Sequence, residues 1–233
     1  DAGTPAGRWE LLALTILMGA PVRRASVEET FCELRRAGLL DIRAAAAARP
    51  DWCEAVDRVM ARSYRGPVRK DLQRRRLAGA ARALLERWHG DLNNLYAEAG
   101  RSPEQAVRQL RRSFVGIDRL ASWLVRELGR LGAWPGAHRH PAAFYADEHL
   151  RQAAARLRLA APPFRGGELE ALVQRHFGGD SSILSGHGRE LCATQNVGVC
   201  LSRCPVARHC NGWGGLAFKR DTGEEAGGSS TGS

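Results

Sequence analysis

The sequence predicts an all-α protein. Apolar residues recur at intervals of three and four over most of the chain, which is the spacing of amphipathic helices. No stretch shows the sustained alternation of apolar and polar residues that is typical of a strand. Glycines and prolines lie at positions where these periodic segments begin or end, as they do at the boundaries of helices.

The N-terminal segments predict two helices in succession. Residues 9–20 are almost entirely apolar, which predicts a buried helix. Residues 26–37 form the next predicted helix, with Ser26 as its N-cap and Glu29 completing a capping box. Gly38 is predicted to end this helix.

The middle of the chain continues the pattern. Residues 50–63 begin with a proline, which is well tolerated in the first turn of a helix. Residues 71–89 carry an apolar stripe with arginines on the opposite side, and Gly90 ends that segment. A short helix over residues 103–112 begins after Ser102. The remaining predicted helices span residues 118–131, 147–159 and 168–177.

The formal charge of +10 points to a polyanionic partner. Almost all of it comes from arginine, since Lys70 and Lys219 are the only lysines. Basic side chains that neutralise phosphates release counterions, and this release dominates non-specific affinity for nucleic acid. The alternative is that the arginine content merely follows from a GC-rich coding sequence.

Cysteines are concentrated near the C-terminus, in the spacing C-x7-C-x3-C-x5-C. The residues are Cys192, Cys200, Cys204 and Cys210. Thiolates gathered this closely most often share a metal ion or an iron–sulfur cluster. Two disulfides are the alternative, but such short loops without a secretory signal favour metal chemistry in a reducing compartment. Cys32 and Cys53 stand alone within predicted helices, where we expect small buried groups.

The apolar runs are too short to span a membrane, which takes roughly 20 consecutive residues. The apolar stretch over residues 11–22 lacks the basic flank and cleavage site of a signal peptide. We therefore expect an intracellular protein of the cytoplasm or nucleoid, where thiols stay reduced.

A glycine turn separates two of the predicted helices. Its sequence is Ser113-Phe114-Val115-Gly116-Ile117-Asp118-Arg119-Leu120. This arrangement is typical of a helix-hairpin-helix, in which the hairpin amides and the next helix's N-terminus point at a DNA phosphate. Any pair of helices joined by a short turn gives a similar pattern.

An aspartate begins the predicted helix over residues 147–159, within Ala146-Asp147-Glu148-His149-Leu150-Arg151. Aspartate is a favoured N-cap, so capping alone accounts for Asp147.

Taken together, these features resemble the endonuclease III family of DNA base-excision glycosylases. The run His187-Gly188-Arg189-Glu190-Leu191-Cys192 is similar to the entry to that family's 4Fe–4S loop, and the segment around Asp147 is similar to its V-D-x-H segment. Trp9-Glu10-Leu11-Leu12 and the run from Leu84 to Gly90 are similar to the family's first and later helices. The hairpin, the aspartate and the cysteine segment follow in the family's order.

The resemblance implies a two-subdomain helix-hairpin-helix DNA glycosylase fold. A six-helix domain would span residues 9–135, and an iron–sulfur cluster domain would span residues 136–215 together with residues 1–8. The Gly- and Pro-rich stretch over residues 132–141 would be the crossing between them, with the DNA cleft between the two subdomains. Residues 221–233 are predicted to be a disordered tail because they are rich in Gly, Ser and Thr.

The resemblance also implies an activity, a partner and a set of site residues. A monomer would bind duplex DNA that contains a damaged base, an oxidised pyrimidine or a uracil-type lesion, and hydrolyse its N-glycosidic bond, with Asp147 as the catalytic residue. The four clustered cysteines would hold a 4Fe–4S cluster, with zinc as the alternative because four thiolates suit both. The residues implied for DNA binding are Val115, Gly116, Ile117, Arg119, Arg203 and Arg208.

Several positions depart from the family pattern. Leu120 stands where bifunctional members have a nucleophilic lysine, so we expect little or no AP-lyase activity. Lys70, in a predicted loop, could replace it only if that loop entered the active site. Asp118 replaces a second hairpin glycine, and the first two cysteine intervals are each one residue longer than in the family. These departures leave two alternatives open, a DNA-binding protein that has lost catalysis and a zinc-stabilised DNA-binding regulator.

Overall fold

The structure is a computed structural model that describes residues 1–20, 22–62, 64, 67–160, 164, 167–192, 202–206 and 210. It is mostly helical, about 70%, and the described part contains no strand. The predicted all-α class is therefore confirmed. The predicted tail over residues 221–233 lies outside the described residues. Within the described residues, every helix is too short or too polar to cross a membrane.

Eleven α-helices are described. They are α1 Pro5–Met18, α2 Arg24–Arg36, α3 Ile42–Ala47, α4 Pro50–Met60, α5 Pro67–Trp88, α6 Leu92–Glu98, α7 Pro103–Ser113, α8 Ala121–Arg130, α9 Glu148–Arg156, α10 Glu168–Phe177 and α11 Ser181–His187. Two 3-10 helices, Ala137–Arg139 and Pro141–Ala143, follow α8, and a π-helical turn, Gly188–Cys192, follows α11.

Local hydrogen bonds and ion pairs account for where α1 and α2 begin. Thr4 accepts from the amide of Gly7 at 3.1 Å, so α1 begins four residues earlier than predicted. The prediction of Ser26 as an N-cap is wrong. Helix α2 already begins at Arg24, which pairs with Glu28 across the first turn at 2.8 Å and leaves Ser26 inside the helix.

The predicted start of α7 after Ser102 is confirmed. The Ser102 hydroxyl accepts from the Gln105 amide at 3.3 Å. Gly90 ends α5 as predicted, with a φ of 79° that favours glycine. Cys32 is exposed and Cys53 is partly exposed, so the prediction that both are buried is wrong.

Three indole rings at the centre of the core organise the first part of the chain. Trp9, Trp88 and Trp134 are fully buried. The indole of Trp9 donates to the carbonyl of Leu40 at 2.7 Å, and Trp134 donates to the Asn93 side chain at 2.9 Å. Each indole thus places its one donor on a partner while its rings fill the core.

The chain divides into two compact units, residues 1–145 and the residues from Ala146 onward. This boundary differs from the predicted one, since residues 1–8 and 136–145 lie in the first unit. Arg8 provides one reason, because its buried guanidinium pairs with Asp91 at 2.7 Å. Gly129 provides another, because its α-carbon faces the backbone of His138 so closely that a Cβ atom would lie 2.4 Å from the His138 nitrogen.

The contribution of the Arg8–Asp91 pair to the free energy of unfolding is expected to depend on pH. Burial by itself raises the pKa of Asp91, but the Arg8 guanidinium and the Asn93 amide hydrogen-bond to the carboxylate and hold its pKa below the usual value. A lowered folded-state pKa stabilises the protein above the unfolded-state pKa of about 3.9, and this stabilisation is lost as the pH falls through the folded-state pKa.

We expect Arg8→Ala to lower the free energy of unfolding at pH 7 by about 3 kcal/mol, because Asp91 is left partly buried and unpaired. Urea denaturation of wild type and variant, repeated from neutral to acidic pH, measures this. Below about pH 4 the difference should shrink. Arg24→Ala, which breaks the exposed Arg24–Glu28 pair, is the control, with a loss of about 0.5 kcal/mol or less. Equal losses in both variants would contradict the interpretation.

Candidate functional site

In the first unit, the candidate site is the turn between α7 and α8, residues 114–120, here called the hairpin. Phe114 and Ile117 are buried and anchor it in the core, whereas the side chain of Val115 is 74% exposed. Arg111 donates from Nε to the carbonyl of Asp118 at 3.0 Å. The hairpin is therefore a supported turn whose outer edge faces solvent.

Two glycines set the position of the hairpin. Gly116 has a φ of 90°, a conformation that favours glycine. A Cβ atom at Gly19, just after α1, would lie 2.4 Å from the carbonyl oxygen of Gly116. A Cβ atom at Gly116 would lie 2.8 Å from the guanidinium of Arg76 on α5. The end of α1 and the middle of α5 thus contact the hairpin directly.

A buried amide links these contacts. Gln73, which is 2% exposed, donates to the carbonyl of Ile16 and accepts from Nη1 of Arg76, both at 3.2 Å, when its amide is oriented to satisfy both neighbours. Sequence reasoning missed Gln73 and Arg76, because nothing along α5 distinguishes them from the other polar residues of the helix.

The backbone amides of the hairpin are available to a ligand. Within the described part of the chain, the N–H groups of residues 115–119 donate no hydrogen bond, whereas the carbonyl of Ile117 accepts from Leu120 and Ala121. Successive unpaired amides beside a helix N-terminus favour an anion. Asp118 is exposed here, so its carboxylate weakens that preference.

A cleft of about 440 Å³ lies beside the hairpin, within the first unit. Such a volume falls in the range of roughly 300–1,000 Å³ that is typical of small-molecule sites. It is lined by Met18, Gly19, Ala20, Gly116, Asp118, Arg119, Leu120 and Tyr145. The mostly buried Leu120 gives the cleft an apolar wall at the start of α8. Tyr145, which sequence reasoning did not single out, lies just before the segment that resembles V-D-x-H.

Lys70 is placed differently from the prediction, because it lies in the first turn of α5 rather than in a loop. It does not line the cleft beside the hairpin.

In the second unit, Asp147 is held by two hydrogen bonds. Its Oδ1 accepts from the amide of Leu150 at 2.7 Å, which confirms the predicted N-cap of α9. Its Oδ2 accepts from the hydroxyl of Ser185 on α11. A carboxylate offers about four lone-pair positions, so each oxygen retains capacity for a further donor. Ser185 was missed because it lies 38 residues away in sequence and belongs to no motif.

Close packing of helices maintains this arrangement. A Cβ atom at Gly188 would lie 2.0 Å from the carbonyl oxygen of His149, so only glycine fits where the π-helical turn crosses α9. Leu150 and Leu184 are buried in the same unit. The glycine of the His187-Gly188-Arg189 run therefore has a packing role that accounts for its identity.

The cysteine segment follows directly. Cys192 is buried, and its carbonyl accepts from Nη1 of Arg156 on α9 at 2.6 Å. Cys204 and Cys210 are partly exposed, and Cys200 lies outside the described residues. The Nε2 atom of His187 lies 3.8 Å from Sγ of Cys204, and burial lowers the pKa of His187.

The thiol donors suit an iron–sulfur cluster or zinc by their chemistry. The described residues alone contain no group of three or more His, Cys, Asp or Glu placed to hold a metal ion. Because Cys200 lies outside the described residues, the set of four cysteine ligands stays a prediction. Of the two basic residues predicted beside it, Arg203 is exposed and Arg208 lies outside the described residues.

Comparison with known proteins finds no matching family model and no matching curated protein.

The contact between Gly19 and Gly116 predicts a strong effect of one methyl group. We expect Gly19→Ala to lower the free energy of unfolding by about 1–3 kcal/mol, because the added carbon forces the hairpin away from α1. Gly79→Ala is the matched control, since Gly79 lies in α5 with nothing within 4 Å of its would-be Cβ atom. The control should be neutral or stabilising by up to about 1 kcal/mol. Chemical denaturation of both variants measures this, and a harmless Gly19→Ala would overturn the proposed close contact.

Proposed function

We propose that the chain is a monofunctional DNA glycosylase of the endonuclease III type, which hydrolyses the N-glycosidic bond of a damaged base in duplex DNA. The observation that carries the proposal is the Asp147 carboxylate, held in one orientation by the Leu150 amide and the Ser185 hydroxyl. It stands in the sequence context that resembles the family's catalytic segment. A cap alone requires one carboxylate oxygen, whereas here the second oxygen is also held by another helix.

The first unit supports the DNA-binding part of the proposal. Residues 115–119 present unpaired amides in a turn whose shape is imposed by glycines, which suits contact with a backbone phosphate. Of the predicted contacts, Val115, Gly116 and Arg119 reach the surface, whereas Ile117 is buried and can contribute only its backbone. The fold proposed is the two-subdomain helix-hairpin-helix arrangement, with the cleft of about 440 Å³ beside the hairpin as the proposed place for the extruded base.

The chemistry follows from the carboxylate. Because a base inside a duplex cannot be reached, the damaged nucleotide must first be rotated out of the stack. As the N-glycosidic bond breaks, the base leaves with the bonding electrons and positive charge develops on the deoxyribose. The anionic Asp147 stabilises that charge and accepts a proton from water, whose oxygen bonds to C1′. The proton then passes from Asp147 to the departed base, which restores the carboxylate and leaves the free neutral base and an abasic site.

Two observations limit the reaction to hydrolysis. Leu120 is largely buried and has no nucleophile, so no Schiff base with the sugar can form at that position. Lys70 lies on α5 and does not line the cleft. Little or no AP-lyase activity is therefore part of the proposal.

The cysteine segment is proposed to hold a 4Fe–4S cluster through Cys192, Cys200, Cys204 and Cys210. Such a cluster would brace the C-terminal segment, and no chemical step passes through it. Iron and sulfide in protein purified without oxygen would support the cluster, whereas stoichiometric zinc in colourless protein would support the alternative.

A second candidate is a DNA-binding protein without catalysis. The exposed Asp118 carboxylate in the hairpin and the apolar Leu120 wall favour it. Both candidates predict binding to duplex DNA, and only the glycosylase predicts base release.

The decisive assay is base release from duplexes that each carry one defined lesion, scored with and without alkali. Asp147→Asn should reduce release at least about 100-fold, because the carboxylate supplies both charge and base. Asparagine is as good an N-cap as aspartate, so the fold and the DNA affinity should persist. Asp41→Asn, at the cap of α3, is the matched control and should retain full activity.

Each other outcome has a distinct meaning. Undiminished release by Asp147→Asn would exclude Asp147 as the catalytic residue. Strand breaks without alkali would contradict the assignment of Leu120 and implicate Lys70. No release from any lesion, with DNA binding intact, would favour the non-catalytic binder.

A further inference from the structure

Arginines line two further clefts of the first unit, and one of these clefts includes Val115 of the hairpin. One shallow cleft is lined by Arg75 and Arg76 of α5 together with Ser113 and Val115. A second cleft is lined by Arg87, Arg108 and Arg112, and again by Ser113. Because Ser113 lies in both, the two clefts form one surface, here called the arginine surface and consisting of Arg75, Arg76, Arg87, Arg108 and Arg112.

The arginine surface keeps a net positive charge. Its five arginines face three carboxylates, since Arg75 pairs with Asp71, Arg108 pairs with Glu104, and Glu98 lies 3.9 Å from Arg87. Glu98 is also occupied by hydrogen bonds from the Trp88 indole and the Gln109 amide.

Two arginines of the surface have guanidinium N–H groups without a hydrogen-bond partner in the described part of the chain. Arg112 is exposed and makes no ion pair or hydrogen bond with a described residue. The Nε atom of Arg76 is buried and has no hydrogen-bond partner in the described part of the chain. The exposed Arg112 therefore gives the surface capacity for an anion, whereas the Nε atom of Arg76 lies against Gly116.

Part of the surface is already ordered. The guanidinium of Arg87 lies 4.4 Å from the centre of the Trp88 ring, and its Nη1 donates to the Ser113 hydroxyl at 3.3 Å. Arg76 packs directly on Gly116. An arginine that is held before binding loses less conformational entropy when it contacts a ligand.

We propose that the arginine surface binds backbone phosphates of duplex DNA next to the phosphate held by the hairpin amides. The proposal rests on the proposed function, which places DNA at the hairpin, and it adds contacts that lie outside any motif. It also offers a reason why the chain can tolerate the Asp118 carboxylate in the hairpin.

The test is the salt dependence of affinity for a lesion-free duplex and for the same duplex with an abasic-site analogue. Each arginine that neutralises a phosphate makes the negative slope of log K against log salt concentration steeper by about 1. The double variant Arg75→Gln/Arg112→Gln should therefore bind more weakly on both duplexes and give a slope that is shallower by about 2. Lysine at the same two positions should restore the slope, because lysine keeps the charge.

The matched control is Arg43→Gln/Arg58→Gln, on α3 and α4. Both residues are exposed and line neither cleft of the arginine surface. The control removes the same charge and should leave the slope unchanged. Equal changes in both double variants, or no DNA binding by the wild type, would overturn the proposal.

Base release measured on the same samples separates the two claims. Base release with an unchanged slope in Arg75→Gln/Arg112→Gln would overturn the arginine surface alone. A shallower slope without base release would leave the surface standing and reject only the glycosylase.

Discussion

The close approach of Gly19 to the carbonyl of Gly116 is the constraint on which the first unit's site depends. A Cβ atom at residue 19 would lie 2.4 Å from that oxygen, which is too close for any residue other than glycine. The contact holds the hairpin against the end of α1, while Arg76 packs on its other side. With this support the hairpin keeps its turn, while the amides of residues 115–119 have no acceptor in the described part of the chain. The cleft lined by Leu120 and the arginine surface both include residues beside or within the hairpin.

The second unit depends on a comparable contact between backbones. Gly188 lets the π-helical turn reach the carbonyl of His149, and α9 and α11 meet so that Ser185 reaches Asp147. The Asp147 carboxylate, which caps α9 through one oxygen, is therefore also held through its other oxygen by a hydrogen bond from α11. Orientation of this kind is what a group needs if it is to act on a developing charge, because no reorganisation is then required during the reaction. The carboxylate thus serves the fold and the proposed chemistry together.

Sequence reasoning succeeded where the signal was local. The bounds of α10, the start of α7 after Ser102, the cap at Asp147 and the end of α5 at Gly90 all depend on residues within one or two turns. It failed for α3, whose run of alanines has no apolar periodicity, and for Cys32, whose exposure depends on how α2 packs. The partners Ser185, Gln73 and Arg76 could not be predicted, because their roles arise from contacts between helices. The metal ligands stay a prediction, since Cys200 lies outside the described residues.

The claim on which both the proposed glycosylase and the arginine surface depend is that the hairpin amides bind a phosphate of duplex DNA. The most direct measurement is the NMR chemical shift of the backbone amides as a duplex with an abasic-site analogue is added. The account predicts that the amides of Gly116, Ile117 and their neighbours shift most and become protected from hydrogen exchange, while amides of α3 and α4 do not change. Saturating DNA binding with unchanged hairpin amides would contradict the account.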